Sequence, residues 1–139
     1  MGAMHRAKGS RGELEIAAII ADLTGYTVKR RVRNHAGDSD LDGIPGWCVE
    51  VKRAAKPNIA AWWRQACAQA AYSGLIPVLF YRIDRRDWVA VWQLSTILGD
   101  WQEETGWTCE SSVQAWAAVM REVEARQRER NAVAMGLTS

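Results

Sequence analysis

The run Asp38-Ser39-Asp40-Leu41-Asp42-Gly43-Ile44-Pro45-Gly46-Trp47-Cys48-Val49-Glu50-Val51-Lys52 concentrates groups that can do chemistry. Asp40 to Gly43 and Trp47 to Lys52 read as two strands joined by Ile44-Pro45-Gly46, a compact turn sequence. A three-residue loop there pairs Gly43 with Trp47. Asp42 then lies opposite Cys48, and Asp40 opposite Glu50. Opposed residues share a face with Cβ atoms about 5 Å apart, and residues two apart along a strand share a face. Asp40, Asp42, Glu50 and Lys52 are thereby predicted to project together, while Leu41, Val49 and Val51 enter the core. Three carboxylates on one face repel each other unless a cation intervenes. Mg²⁺, with Mn²⁺ as a substitute, takes one or two carboxylates and completes its shell with water and phosphate oxygen. Lys52 can orient or deprotonate an attacking water, or stabilise charge developing on phosphorus.

The elements that must position this face follow from periodicity. Ile16, Ile19, Ile20 and Leu23 recur at helical spacing, which predicts a helix over Arg11 to Thr24 ended by Gly25. Lys8-Gly9-Ser10-Arg11-Gly12 reads as a flexible basic entry. Tyr26 to Arg33 alternates Tyr and Val with basic residues and reads as a strand. Asn58 is placed to cap a helix over Ile59 to Tyr72, ended by Gly74. Leu75 to Ile83 is a nearly unbroken apolar run, the mark of a buried central strand. Asp84-Arg85-Arg86-Asp87 is a polar turn, and Trp88 to Trp92 pairs back. A short helix follows over Ser95 to Trp101, then a polar stretch over Gln102 to Glu110. A last helix runs from Ser112 to Ala134, with Val113, Trp116, Ala117, Met120 and Val123 as its stripe. The order α-β-β-β-α-β-β-α-α predicts an α/β domain, one mixed sheet flanked by helices. Residues 1–10 are a flexible basic N-terminus, 11–101 the core, and 102–139 a C-terminal helical extension.

A chain of 139 residues is about one domain, and 48% hydrophobic with 24% charged residues is ordinary globular composition. No window is apolar enough for a membrane span, and Met1 to Lys8 has no signal-peptide core. Cys48, Cys67 and Cys109 match no zinc spacing and read as free thiols of a reducing cytosol. A net charge of +2 is too small to indicate nucleic acid by itself. Its placement says more: Arg6, Lys8, Arg11, Lys29, Arg30, Arg31 and Arg33 cluster in the first quarter of the chain. Lys29 to Arg33, on a strand beside the carboxylates, suits a phosphate track, since phosphate contacts supply sequence-independent affinity.

These residues resemble the PD-(D/E)XK nuclease superfamily, whose core is Asp-x(n)-Glu-x-Lys on a hairpin between two helices. Lys8-Gly9-Ser10-Arg11-Gly12-Glu13-Leu14-Glu15-Ile16 is similar to the opening of archaeal-type Holliday junction resolvases. Asp-Leu-x-Gly-x-Pro-Gly-Trp followed by Val-Glu-Val-Lys resembles phage-encoded nucleases of that type, and Trp62-x-x-Gln65-Ala66 has a counterpart on their next helix. The resemblance spans about Arg6 to Leu98. It implies a restriction-endonuclease-like fold and an Mg²⁺-dependent endodeoxyribonuclease that resolves four-way junctions in DNA recombination and repair. It further implies a homodimer in the cytoplasm of a bacterial or archaeal cell or a phage host. Glu13, Asp40 and Glu50 correspond to the metal carboxylates, Lys52 to the E-x-K lysine, and Gln65 to the helix polar residue. Lys8, Arg11, Lys29, Arg30, Arg31, Arg33 and Arg53 would meet DNA.

Other readings stand beside these. Ser39, not Pro, precedes Asp40, the Asp-to-Glu spacing is short, and Asp42 competes with Asp40 as metal ligand. Ser10 and Glu13 fit a capping box. Asp42-Gly43 fits a plain turn, and the Trp residues fit core or dimer contacts. The enzyme alternatives act on nicked, flapped or linear DNA. The alternative from another class is a catalytically inactive DNA-binding protein.

Overall fold

The computed structural model describes residues 2–32, 38–98 and 107–137. Its elements are α1 (Gly2–Thr24), β1 (Lys29–Arg30), β2 (Leu41–Asp42), β3 (Trp47–Ala54), α2 (Ile59–Ser73), β4 (Ile76–Ile83), β5 (Val89–Gln93), α3 (Ser95–Leu98), β6 (Thr108–Ser111) and α4 (Val113–Ala134). Strands β3-β4-β5-β6 form one sheet, with β3 and β4 parallel and the remaining pairs antiparallel. A parallel neighbour needs a crossover, and α2 supplies it. This is the predicted α/β architecture, a mixed sheet flanked by helices.

Strand alternation divides the core. Val49, Val51, Val78, Phe80, Ala90 and Trp92 face α1 and α4, where they meet Ile16, Ile20, Val113, Trp116 and Met120. Leu79, Tyr81 and Val91 face α2, where Ala66, Trp62 and Trp63 cover them. Trp116 is fully buried, with its ring edge-on to Phe80 at 4.9 Å and to Trp47 at 5.4 Å. Each such aromatic pair adds about 1 kcal/mol beyond area burial. The first turns of α4 are therefore part of the central core.

Four local expectations are corrected. First, the helix predicted from Arg11 begins at Gly2. Ala3, Met4, Arg6, Ala7 and Lys8 are good helix formers and carry it through Gly9. Ser10 is thus interior to the helix and makes no capping box with Glu13. Second, of the strand predicted over Tyr26 to Arg33 the described residues form only Lys29–Arg30, because Tyr26 and Val28 turn in to pack on the core. Third, the polar stretch before α4 contains β6, an edge strand held by β5 rather than by its own hydrophobicity. Fourth, the Asn58 side chain makes no cap bond, although Gly74 ends α2 in the left-handed region. The helix expected over Ser95 to Trp101 is described as far as Leu98.

The predicted hairpin register also fails. β2 pairs with β1, placing Lys29 opposite Asp42 and Arg30 opposite Leu41 in a separate two-stranded ribbon. Ile44 is buried rather than being the tip of a solvent loop, and its carbonyl accepts from Trp47 N–H at 3.3 Å. Gly43 sets the turn. It has φ +102°, and a Cβ there would lie 2.1 Å from the Thr27 carbonyl oxygen. Gly46 has φ +85° with open space around it. Gly46→Ala should cost about 1 kcal/mol of conformational strain, and Gly43→Ala clearly more, about 3 kcal/mol. Urea unfolding of the two variants checks this, and equal midpoints would remove the close approach.

Candidate active site

Ser39 and Asp40 use side chains where a regular ladder would use carbonyls. Asp40 N–H donates to the Val49 carbonyl at 2.8 Å, and Val51 N–H donates to Asp40 Oδ2 at 2.8 Å. The Ser39 hydroxyl accepts from Val49 N–H and donates to the Leu41 carbonyl, both at 2.8 Å. Asp40 is 3% exposed, and Glu50, between the two residues it grips, is 1% exposed. Lys52 Nζ lies 3.2 Å from Glu50 Oε1. Buried carboxylates cost several kcal/mol unless N–H donors, cations or metals compensate. Here a backbone amide and an ammonium do part of that work.

The face carrying Glu50 and Lys52 is the α2 face, since Glu50 sits beside Leu79 and Lys52 beside Tyr81 in the parallel register. Tyr81 is buried under Trp62, their rings 5.8 Å apart. Burial, with Glu110 nearby, pushes the Tyr81 hydroxyl above its ordinary pKa, so it stays neutral beside Lys52. Sequence reading missed Tyr81 because it hides in the apolar run of β4. On α2, Gln65 is half-buried, whereas Gln69, one turn on, is buried. Gln69 Oε1 has no hydrogen-bond partner among the described residues.

The other predicted site residues lie apart from this pair. Glu13 holds Arg30, with Oε2 to Nε at 2.6 Å. Asp42 is exposed and does not share the site face; Arg31 reaches it at 3.2 Å and Asp38 at 3.5 Å. Arg31 N–H also donates to the Asp40 carbonyl at 2.9 Å, so this arginine clamps the loop before β2. Among the described residues no three of His, Cys, Asp and Glu gather closely enough to hold a metal ion. The set Glu13, Asp40 and Glu50 is therefore not preassembled. Lys8 lies within α1, Arg11 and Lys29 are exposed, and Arg33 and His35 lie outside the described residues.

Arg53 turns inward. Its Nη1 is 3.7 Å from Glu15, which also binds Arg82 and accepts from Trp88 Nε1 at 2.8 Å. Gly12 permits this contact, since a Cβ there would stand 3.3 Å from Arg53 Cβ. Glu15 is a structural hub that periodicity does not reveal, because its partners come from three separate segments.

A buried Asp braced against an E-x-K strand, on a mixed sheet between helices, defines the PD-(D/E)XK class of nucleases. Residues 4–125 match the family described as "Phage putative PDDEXK endonuclease", and the chain belongs to that family. That family is one of endonucleases, of a class that typically uses divalent metal ions. Among solved structures it is similar to Hjc, a Holliday junction resolvase from the archaeal hyperthermophile Archaeoglobus fulgidus. That match has 19% identity and a TM-score of 0.46, and covers 60% of this chain and 70% of Hjc. No curated protein matches the chain.

The two α1 carboxylates should differ in structural weight. Glu15→Ala leaves Arg53 and Arg82 facing each other and Trp88 Nε1 without its acceptor, a loss of about 1–3 kcal/mol. Glu13→Ala loses one pair with an exposed arginine, about 0.5 kcal/mol. Denaturant melts of both variants measure the difference. A Glu15→Ala midpoint no lower than that of Glu13→Ala would refute the hub.

Proposed function

We propose that this endonuclease cuts branched DNA, four-way junctions first, as a two-fold homodimer supported by Mg²⁺ with Mn²⁺ able to substitute. The observation that carries the hydrolytic reading is the pair of buried carboxylates, Asp40 and Glu50, with Lys52 3.2 Å from Glu50. Mg²⁺ commonly takes one or two carboxylates, so Asp40 and Glu50 fit it without recruiting Glu13. When bound, the ion polarises the phosphate and acidifies a water.

The protein's own groups do the rest. Val51 N–H fixes the Asp40 carboxylate. Glu50 holds the Lys52 ammonium on the α2 face, where it orients water or stabilises charge on the phosphate. Gln65 lies on the helix that covers that face and is assigned to water or phosphate. Glu13 acts through Arg30 as a positioning residue. Asp42 serves the loop clamp with Arg31.

The junction preference is proposed on the resemblance of Lys8 to Ile16 and of Asp40 to Lys52 to resolvase segments. Two cuts related by a two-fold axis call for two chains. No described helix is long and apolar enough to cross a membrane. The proposed setting is the cytoplasm of a prokaryotic cell or phage host.

Asp40→Asn and Glu50→Gln should lower cleavage at least about 100-fold while leaving DNA binding in chelator intact. Asp42→Asn should stay within about threefold of wild type. Matched junction and linear duplex substrates, assayed with Mg²⁺ and with excess chelator, give the readout. Full activity in chelator would exclude the metal-assisted reading. Light scattering and competition binding report the dimer and the junction preference, and a monomer binding both DNAs equally would defeat that half.

A further inference from the structure

The basic strand beside the site is electrically spent. Around β1, Arg30 is paired with Glu13, Arg31 with Asp38 and Asp42, and Lys29 lies in register with Asp42. Among the described residues Arg30 and Arg31 are ion-paired with the three carboxylates and Lys29 stands over Asp42 in register, so the charges of this edge balance and it offers a polyanion little net attraction.

The far end of the sheet differs. Arg53 and Arg82 share the single carboxylate of Glu15. Beyond them Lys56, Arg85 and Arg86 are exposed, as is Arg11 on the neighbouring helix. Asp84 and Asp87 are the carboxylates of this turn. These six cations, Arg11, Arg53, Lys56, Arg82, Arg85 and Arg86, face three carboxylates, Glu15, Asp84 and Asp87, an excess of three positive charges.

The turn that carries Arg85 and Arg86 is held firmly. Asp84 N–H donates to the Ala54 carbonyl at the end of β3 at 3.0 Å, and Arg86 N–H to the Ile83 carbonyl at 2.9 Å. Arg82 Nε donates to the Arg86 carbonyl at 2.8 Å. A groove of about 350 Å³ runs between Pro57 and Ile59 on one side and Ile83, Arg86 and Asp87 on the other. Lys56 directly precedes one wall and Arg86 stands in the other. Arg85 has φ +68°, the one positive φ outside glycine among the described residues. Glycine, asparagine or aspartate would hold that position at lower cost, so the turn presents its arginine on a backbone that does not favour it. Arginine is a fork for phosphate oxygens.

We infer that DNA docks its phosphate backbone on the sheet end formed by Lys56, Arg85 and Arg86, rather than on β1. This rests on the assignment of DNA as the substrate. It adds that the backbone is gripped past the carboxyl end of β3, on the far side of Lys52 from the Asp40 loop.

The test is the full chain with Lys56→Ala, Arg85→Ala and Arg86→Ala combined, beside a Lys29→Ala, Arg30→Ala control. Fluorescence anisotropy with a linear duplex and a four-way junction, in chelator over a KCl series, reads binding apart from catalysis. The triple variant should bind both DNAs about tenfold or more weakly. Its salt slope should flatten by about 0.9 for each phosphate that is no longer neutralised. The control should change less than threefold. Arg85→Lys with Arg86→Lys should recover part of the slope. Unchanged melting of the triple variant would assign the loss to binding. If the triple variant binds like wild type while wild type cleaves DNA with Mg²⁺, the docking face is wrong and the nuclease reading stands. If wild type cleaves no DNA with any divalent ion yet the triple variant loses binding, the docking face stands and the nuclease reading falls. A wild-type chain that binds neither DNA overturns the docking face.

Discussion

The hydrogen bond from Val51 N–H to the Asp40 carboxylate is the constraint on which this fold is built. It places a buried anion against β3 next to a second buried anion, Glu50. Isolated, each would cost several kcal/mol of lost hydration. The surrounding structure answers that cost locally. Ser39 bonds the backbone on both sides, so Asp40 cannot slide along the strand. Lys52 neutralises Glu50 from two residues away. Ile44 is drawn into the core and Gly43 is pressed against Thr27, which turns the chain from β2 towards β3 without a ladder between them. The broken hairpin is thus the means by which a side chain, rather than a carbonyl, meets Val51.

Helix α1 then ties this arrangement to the rest of the sheet. Glu13 and Glu15, two positions apart, point to different sides of the helix. Glu13 reaches the β1–β2 ribbon through Arg30, and Glu15 reaches β3, β4 and the start of β5 through Arg53, Arg82 and Trp88. Ile16 and Ile20 bury the helix between these two grips. The ribbon has little core of its own, so the Glu13–Arg30 pair and the Arg31 clamp fix the loop that delivers Asp40. A carboxylate that looks catalytic by type and place can serve a catalytic site by geometry alone.

What the sequence made legible follows from what periodicity can carry. The apolar run of β4, the stripes of α2 and α4 and the alternation of Val49 and Val51 all report burial on a whole face. Each of these elements was placed within a few residues. Glu50 and Lys52 stand out because strand alternation places charged groups where a half-buried strand should not keep them, whereas Asp40 lies outside the strands and its predicted pairing opposite Glu50 is absent. The register was not legible, since it depends on Gly43 meeting Thr27 and on Ile44 being buried. Both are contacts between segments with no local signature. Strand β6 was invisible because an edge strand is held by its neighbour's backbone, and Thr108, Glu110 and Ser111 carry no apolar pattern. Gln69 drew less notice than Gln65, although the structure buries it more deeply, since a polar stripe does not say which member faces inward.

Electrostatics sets the last demand. A site built from Asp40 and Glu50 repels a phosphate at every distance beyond the reach of its metal, and the local ammonium of Lys52 is already paired with Glu50. Attraction must therefore come from cations outside the site that are not matched one for one. A chain with net charge +2 has few to spare, and Arg30 and Arg31 are matched by Glu13, Asp38 and Asp42. Surface pairs of that kind are weak as stabilisers, yet they cancel the field that a polyanion senses at about 10 Å in physiological salt. Two arginines sharing one carboxylate, with Lys56, Arg85 and Arg86 beyond them set against Asp84 and Asp87, leave a net positive charge at this end. The same α1 that holds Asp40's loop through Glu13 thereby also sets, through Glu15, how much positive charge the opposite end of the sheet presents.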